Sequence, residues 1–222
     1  MGHGVILGDR IDYTVPVRDS AVSGFSDEDR ERIRTELLEA GRQQLLDLGP
    51  DRTRVVDITE PVGIAKPTFY QFFDSKAEIY LEICTREIET FTDDLAADLA
   101  TMDDPRAEFE QFVRARVRFL EENPYVHRVL AEGHPRDVLG SVSQDRADRA
   151  RAAVVADLVP IVEDIQRRAE GPITEMDPVT VCRLMKPLVL LVIDQQEHPR
   201  DDYEEIRDLS IEMLARGLVE NG

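Results

Sequence analysis

A chain of 222 residues in which 42% are hydrophobic and 33% charged has the balance of a globular protein able to bury a full core, which excludes a disordered chain. Asp and Glu number 46 against 27 Lys and Arg, a net charge of -19, and the only lysines are Lys66, Lys76 and Lys186. A carboxylate-rich, lysine-poor surface stays hydrated where salt screens charge over ~3 Å, as at 1 M, and this composition points to the cytoplasm of a halophile.

The longest apolar stretch, LVLLVID after Pro187, is too short to span a bilayer, and the N-terminus lacks the basic and apolar segments of a signal peptide, so a cytoplasmic protein with no membrane partner is expected. Cys84 and Cys182 stand in different predicted helices outside any CxxC spacing and are read as buried thiols. His127, His134 and Cys84 fit no regular metal motif. With no glycine-rich phosphate loop and no nucleophile constellation, the sequence points to no enzyme, no metal and no cofactor.

Residues 1–25 show no helical period and are expected to form a tail or surface strap. From Ser26 a capping serine, acids in the first turn and apolar Ile33, Leu37, Leu38, Leu45 and Leu48 predict a first helix that stops at Gly49-Pro50. Val55 and Ile58 share one side of a short second helix, Gly63 marks a tight turn, and a third helix begins near Ala65. On that third helix Phe69, Phe72 and Phe73 form an apolar anchoring face, while Lys66, Tyr70, Pro67 and Gln71 fall on the others. Ser75 and Glu78 have capping-box spacing, so a long helix starts at once with Lys76 in its first turn. A lysine there opposes the helix dipole, a penalty that a phosphate would reverse.

Downstream, Asp104-Pro105, Asn123-Pro124 and Asp177-Pro178 each pair a capping side chain with a proline suited to a first helical turn, while Gly133 and Gly171-Pro172 close helices. The chain therefore reads as all-α with about nine helices. Phe109, Phe112, Arg116, Phe119, Tyr125 and His127 are candidate lining groups of a cavity enclosed by the later helices, since aromatics with a few polar groups from several helices make such pockets. Arg183 and Lys186, three apart on the apolar VCRLMKPLVLLVID helix that Pro187 should kink, either reach the surface or meet an anionic effector.

The segment DITEPVGIAKPTFYQFFDSK resembles the DNA-binding signature of the TetR family of regulators, matching at Asp57, Ile58, Gly63, Ile64, Lys66, Pro67, Thr68, Phe69, Tyr70, Phe73, Ser75 and Lys76. The resemblance implies a three-helix helix-turn-helix head over residues 26–76 and a helical effector-binding and dimerisation body over 77–222. In that picture Lys66, Pro67, Thr68 and Gln71 approach base edges or nearby backbone, Tyr70 and Lys76 hold phosphates, and Thr53 joins the DNA-contacting set. It further implies a homodimer through 179–196 and 203–218, a near-palindromic double-stranded operator and a small-molecule effector, hence a repressor released by that effector. A regulator of the same fold that activates, or that needs no effector, is the alternative. Three positions depart from the family pattern: Ala65 replaces a capping serine, Thr59 an alanine, and Pro61 crowds the carbonyl of Asp57, so helix two is expected to end early or kink.

Overall fold

The structure, a computed structural model, describes residues 25–132, 140–195 and 199–220. The tail up to residue 24, Gly133, His134 and Gln196 lie outside the described residues. Those described form helices and turns and no strand.

Helix α1 spans Asp27–Arg52. Ser26 accepts from the Asp29 amide at 3.1 Å, and Asp27, Glu28 and Asp29 place negative charge at the positive end of the helix. Ile33, Leu37, Leu38 and Leu45 are buried. At Gly49 the backbone turns to φ 76°, ψ 170°, so the expected stop is present and only a short turn through Pro50 follows it.

Helix α2 covers Val55–Val62, and Gly63, at φ 73°, turns the chain into α3, Lys66–Phe69. Pro61 does not end α2 early. It removes one amide near the helix end, where the Gly63 and Ile64 amides close the last turn on the carbonyls of Glu60 and Thr59. Ala65 caps α3 without a side-chain bond, and α3 is only one turn long before the chain tightens through Tyr70 to Phe73.

Helix α4 runs Lys76–Leu99, with Ser75 accepting from the Glu78 amide at 3.3 Å and the Glu78 carboxylate accepting from the Asp74 amide at 2.9 Å. The body continues with α5, Pro105–Glu122; α6, Pro124–His127, which passes into a π-turn over Arg128–Glu132; α7, Gln144–Arg168; α8, Pro178–Leu184; α9, Lys186–Ile193; and α10, Arg200–Val219. Asp104, Asn123 and Asp177 each accept from a main-chain amide as expected of caps before proline. Met185 and Pro187 break one apolar rod into α8 and α9. Counting these two as one bent helix gives nine among the described residues.

Two apolar clusters result. The head-side cluster joins Leu37, Leu45, Ile58, Phe69 and Phe73 to Ile79, Tyr80 and Ile83 of α4 and to Val126 and Val129. The other fills the body with Leu95, Leu99, Phe109, Phe112, Val117, Val162, Val181, Leu188 and Ile211. Helix α4 thus buries its first half in one cluster and its last turns in the other. Its crossing with α1 is close because residue 41 is glycine: a Cβ there would stand 2.5 Å from Ile79 Cγ2.

Candidate nucleic-acid interface

The helix-turn-helix presents two faces for a local reason. Aromatic side chains at 69 and 73 fall on the inner side of one turn of α3 and its extension, where Phe69 and Phe73 are fully buried and their ring centroids lie 5.8 Å apart. Phe72, expected in the same face, is only half-buried and lies instead tilted against Phe25, with ring centroids 6.0 Å apart. The outer side then carries Lys66, Pro67, Tyr70 and Gln71, all exposed, with Thr68 half-buried beside them. Tyr70 stands edge-on to Phe69 at 5.3 Å, so its ring is held on one side while the residue stays exposed. Among the described residues Lys66 has no ion pair, which leaves its ammonium available to an anion from outside.

Two arginines that the sequence reading passed over fix this segment. Arg30 donates to the Gln71 carbonyl at 3.3 Å and lies over the Phe72 ring; Arg34 donates to the Phe72 carbonyl at 3.2 Å, lies 4.5 Å from the Phe73 centroid and pairs with Glu82 of α4. Their spacing of four on α1 was a visible signal, but it reads equally as a solvated charge pair. Arg54, exposed at the start of α2, pairs with Asp57 and holds that carboxyl below its ordinary range.

Thr53 and Lys76, placed by resemblance among the DNA contacts, are employed inside the head. Thr53 is buried, and its hydroxyl donates to the Gly49 carbonyl at 2.7 Å. The Lys76 ammonium donates to the carbonyls of Pro50 at 2.6 Å and Thr53 at 2.7 Å, with that of Asp51 at 3.5 Å. A cation against the last carbonyls of α1 complements the negative end of that helix, so the poor placement of Lys76 at the start of α4 is offset without a phosphate. Partial burial pushes the ammonium pKa down, against the pull of Asp51 and Asp57. In this arrangement Lys76 positions the loop between α1 and α2 rather than facing outward.

The candidate pocket residues divide between the two apolar clusters. Phe109 and Phe112 are buried in the body cluster. Phe119 stacks on Phe91 at 4.3 Å and, with Tyr125, packs against the head-side cluster; Arg42 lies 4.6 Å over the Tyr125 ring. His127 is half-buried beside them on α6, and Arg183 and Lys186 are exposed. Recesses open elsewhere, one of about 320 Å³ between Arg30, Arg34 and Phe72, another of about 570 Å³ between Met102, Gln111 and Arg114. No group of three or more potential metal ligands occurs among the described residues.

Comparison with known proteins bears on this geometry. Residues 37–83 match the family described as bacterial regulatory proteins, tetR family. The HTH-type transcriptional activator FasR of Mycolicibacterium smegmatis is 29% identical over 103 residues, which are 46% of this chain and 47% of FasR, so the match spans about half the length of that relative. Among solved structures, a TetR-family transcriptional regulator from Pectobacterium atrosepticum superposes with a TM-score of 0.70 at 21% identity, covering 89% of this chain and 99% of that one. FadR from Bacillus subtilis, solved in complex with stearoyl-CoA, gives 0.57 at 13% identity over 83% and 98% of the two chains. Identities this low speak for the fold alone, while residues 37–83, from the middle of α1 into α4, match the tetR family model: the chain has a head similar to that of tetR-family regulatory proteins on a body that shares their all-α fold.

Proposed function

We propose that this chain is a dimeric, sequence-specific DNA-binding transcriptional regulator, a repressor released from a near-palindromic operator by a small molecule. One observation carries the reading. The outer side of α3 and its extension offers Lys66, Pro67, Tyr70 and Gln71 together, on a segment anchored from behind by Phe69, Phe73, Arg30 and Arg34. Gln71 and Lys66 read base edges in the major groove, Thr68 and Pro67 support them, and Tyr70 holds a phosphate. Residues 26–76 serve as the DNA-binding head and 77–222 as the effector and dimer body.

The dimer is supported by exposed apolar residues on one side of α10, Ile206, Leu209 and Met213, and by Leu190 on α9, a stripe that water would otherwise face. An effector is supported by the neighbour solved with stearoyl-CoA. Activation in place of repression is the second reading, favoured by the activator FasR among the relatives. The low lysine content and -19 charge suit a regulator working at high salt in a halophile's cytoplasm.

Selection of bound duplexes from a random library tests the reading. The wild-type chain should enrich a two-fold related pair of half-sites about one helical turn apart. Gln71→Ala should blur the preferred bases while retaining affinity for random DNA. Enrichment of a single asymmetric site would remove the dimer, and an unchanged logo for Gln71→Ala would remove that residue from base reading.

A further inference from the structure

Most arginines of the body are neutralised. Arg106 pairs with Glu220, Arg114 with Glu110 and Asp208, Arg168 with Glu108 and Asp164, and Arg207 with Glu121 and Asp208. Arg116, one turn of α5 beyond Phe112, is different. Among the described residues it meets no carboxylate and no hydrogen-bond acceptor, and its specific contact is the Phe112 ring, 5.9 Å from the guanidinium carbon. Arg114, two residues earlier, points to the acids of α10.

The surroundings of Arg116 are apolar. Phe109, Phe112 and Val113 of α5 share a buried cluster with Cys182 of α8, Met185 and Leu188 of α9. Enclosing protein strips water from the guanidinium and pushes its pKa down to about 10. The residue nevertheless keeps part of its accessible surface. A guanidinium so enclosed, with no counter-ion among the described residues, is unfavourable by itself. A carboxylate supplies what is missing, because its two oxygens accept two parallel hydrogen bonds from the planar guanidinium. One isolated cation suits one negative charge; the exposed Arg183 and Lys186 add none to this interior.

We propose that Arg116 anchors a binding site inside the body for an apolar molecule bearing a single carboxylate, the carboxylate on the guanidinium and the apolar part along Phe112 and the Cys182 side of the cluster. The proposal rests on the effector part of the preceding reading and names the chemical class of that effector.

The test uses the full chain without DNA, with decanoate and benzoate as probes and decanol and benzyl alcohol as their uncharged counterparts. Thermal unfolding followed by circular dichroism should show at least one carboxylate raising Tm of the wild type in a saturable way, with its alcohol ineffective. Arg116→Met keeps the length and removes the charge. It should unfold at a Tm equal to or above that of the wild type when no probe is present, and calorimetry should show its affinity for the stabilising carboxylate reduced at least about tenfold, the cost of losing a charge-assisted pair. Arg116→Lys should retain part of the binding. The proposal is overturned if neither carboxylate stabilises the wild type, if the alcohol or sodium chloride acts equally well, if Arg116→Met binds as tightly as the wild type, or if that variant is less stable or fails to fold, since Arg116 would then serve the fold. Sequence-selective DNA binding by the unliganded chain is measured separately, so loss of this site leaves the DNA reading standing, and loss of DNA binding leaves this site standing.

Discussion

Replacing Lys76 by methionine separates a structural clamp from a phosphate contact. The variant keeps the aliphatic stem and removes the ammonium that donates to Pro50 and Thr53 at 2.6 and 2.7 Å. Both acceptor residues are buried, so water does not readily take over those carbonyls. A hydrogen bond from a charged donor contributes about 1.5–3 kcal/mol, and two would give about 3–6 kcal/mol at full burial. Lys76 itself keeps some contact with solvent, which brings the expectation down to about 2–4 kcal/mol. Against a total stability of about 5–15 kcal/mol this is a large loss. Urea unfolding followed by circular dichroism, at one salt and one protein concentration for both proteins, measures it as a lowered midpoint with an unchanged slope. Binding to random duplex DNA, measured well below the unfolding midpoint, should change little. A midpoint within about 0.5 kcal/mol of the wild type, together with a marked loss of affinity for random DNA, would refute the clamp and return Lys76 to the phosphates.

Two further outcomes follow from charge and burial. Burial pushes the Cys84 thiol up to about 12, so at pH 8 only about one molecule in ten thousand carries the reactive thiolate; iodoacetamide followed by mass spectrometry should leave Cys84 unmodified in the folded protein and modify it after unfolding, and rapid native labelling would contradict its placement against Val126 and Tyr125. Operator affinity should fall little, or rise, between low and molar KCl, because counterion release by the few exposed cations is offset by cation uptake beside an acidic surface; Lys66→Ala should make the slope of log affinity against log salt less negative, by about 0.9 if Lys66 neutralises one phosphate, and a steep loss of affinity for the wild type would exclude the high-salt reading.

What could be read from the sequence was decided within a few residues. The Gly49 stop, the Ser75 cap and the buried positions of Phe69 and Phe73 depend on backbone angles and on one helical turn. The partners of Lys76 lie 26 and 23 residues back along the chain, and the carbonyls held by Arg34 and Arg30 lie 38 and 41 residues ahead. No periodicity within the head records such pairings, so a clamp and two positioning arginines were hidden behind a residue pattern that fits DNA contact equally well. The placement of the candidate pocket residues was hidden in the same way. Phe109, Phe112, Phe119 and Tyr125 share aromatic character and proximity in sequence, yet α5 runs from the body cluster, where the first two are buried, to the head-side cluster, against which Phe119 and, beyond the turn into α6, Tyr125 pack.

Helix α4 has a mechanical consequence. It is one rigid rod of 24 residues, about 36 Å long, with Ile79, Tyr80 and Ile83 locked in one core and Leu95 and Leu99 in the other. Its bearing is the crossing with α1 at Gly41, where no side chain intervenes and where Arg34 and Arg42 grip Glu82 and Glu87 from the same side. A rod pivoting at such a point acts as a lever with unequal arms: a tilt of about 5° about Ile79 carries Lys76, three residues away, through about 0.4 Å and Leu99, twenty residues away, through about 2.6 Å. At the far end that is a rearrangement among body side chains. At the near end it shifts Lys76 relative to the carbonyls at the close of α1 by a few tenths of an ångström, as much as those hydrogen bonds tolerate before they weaken.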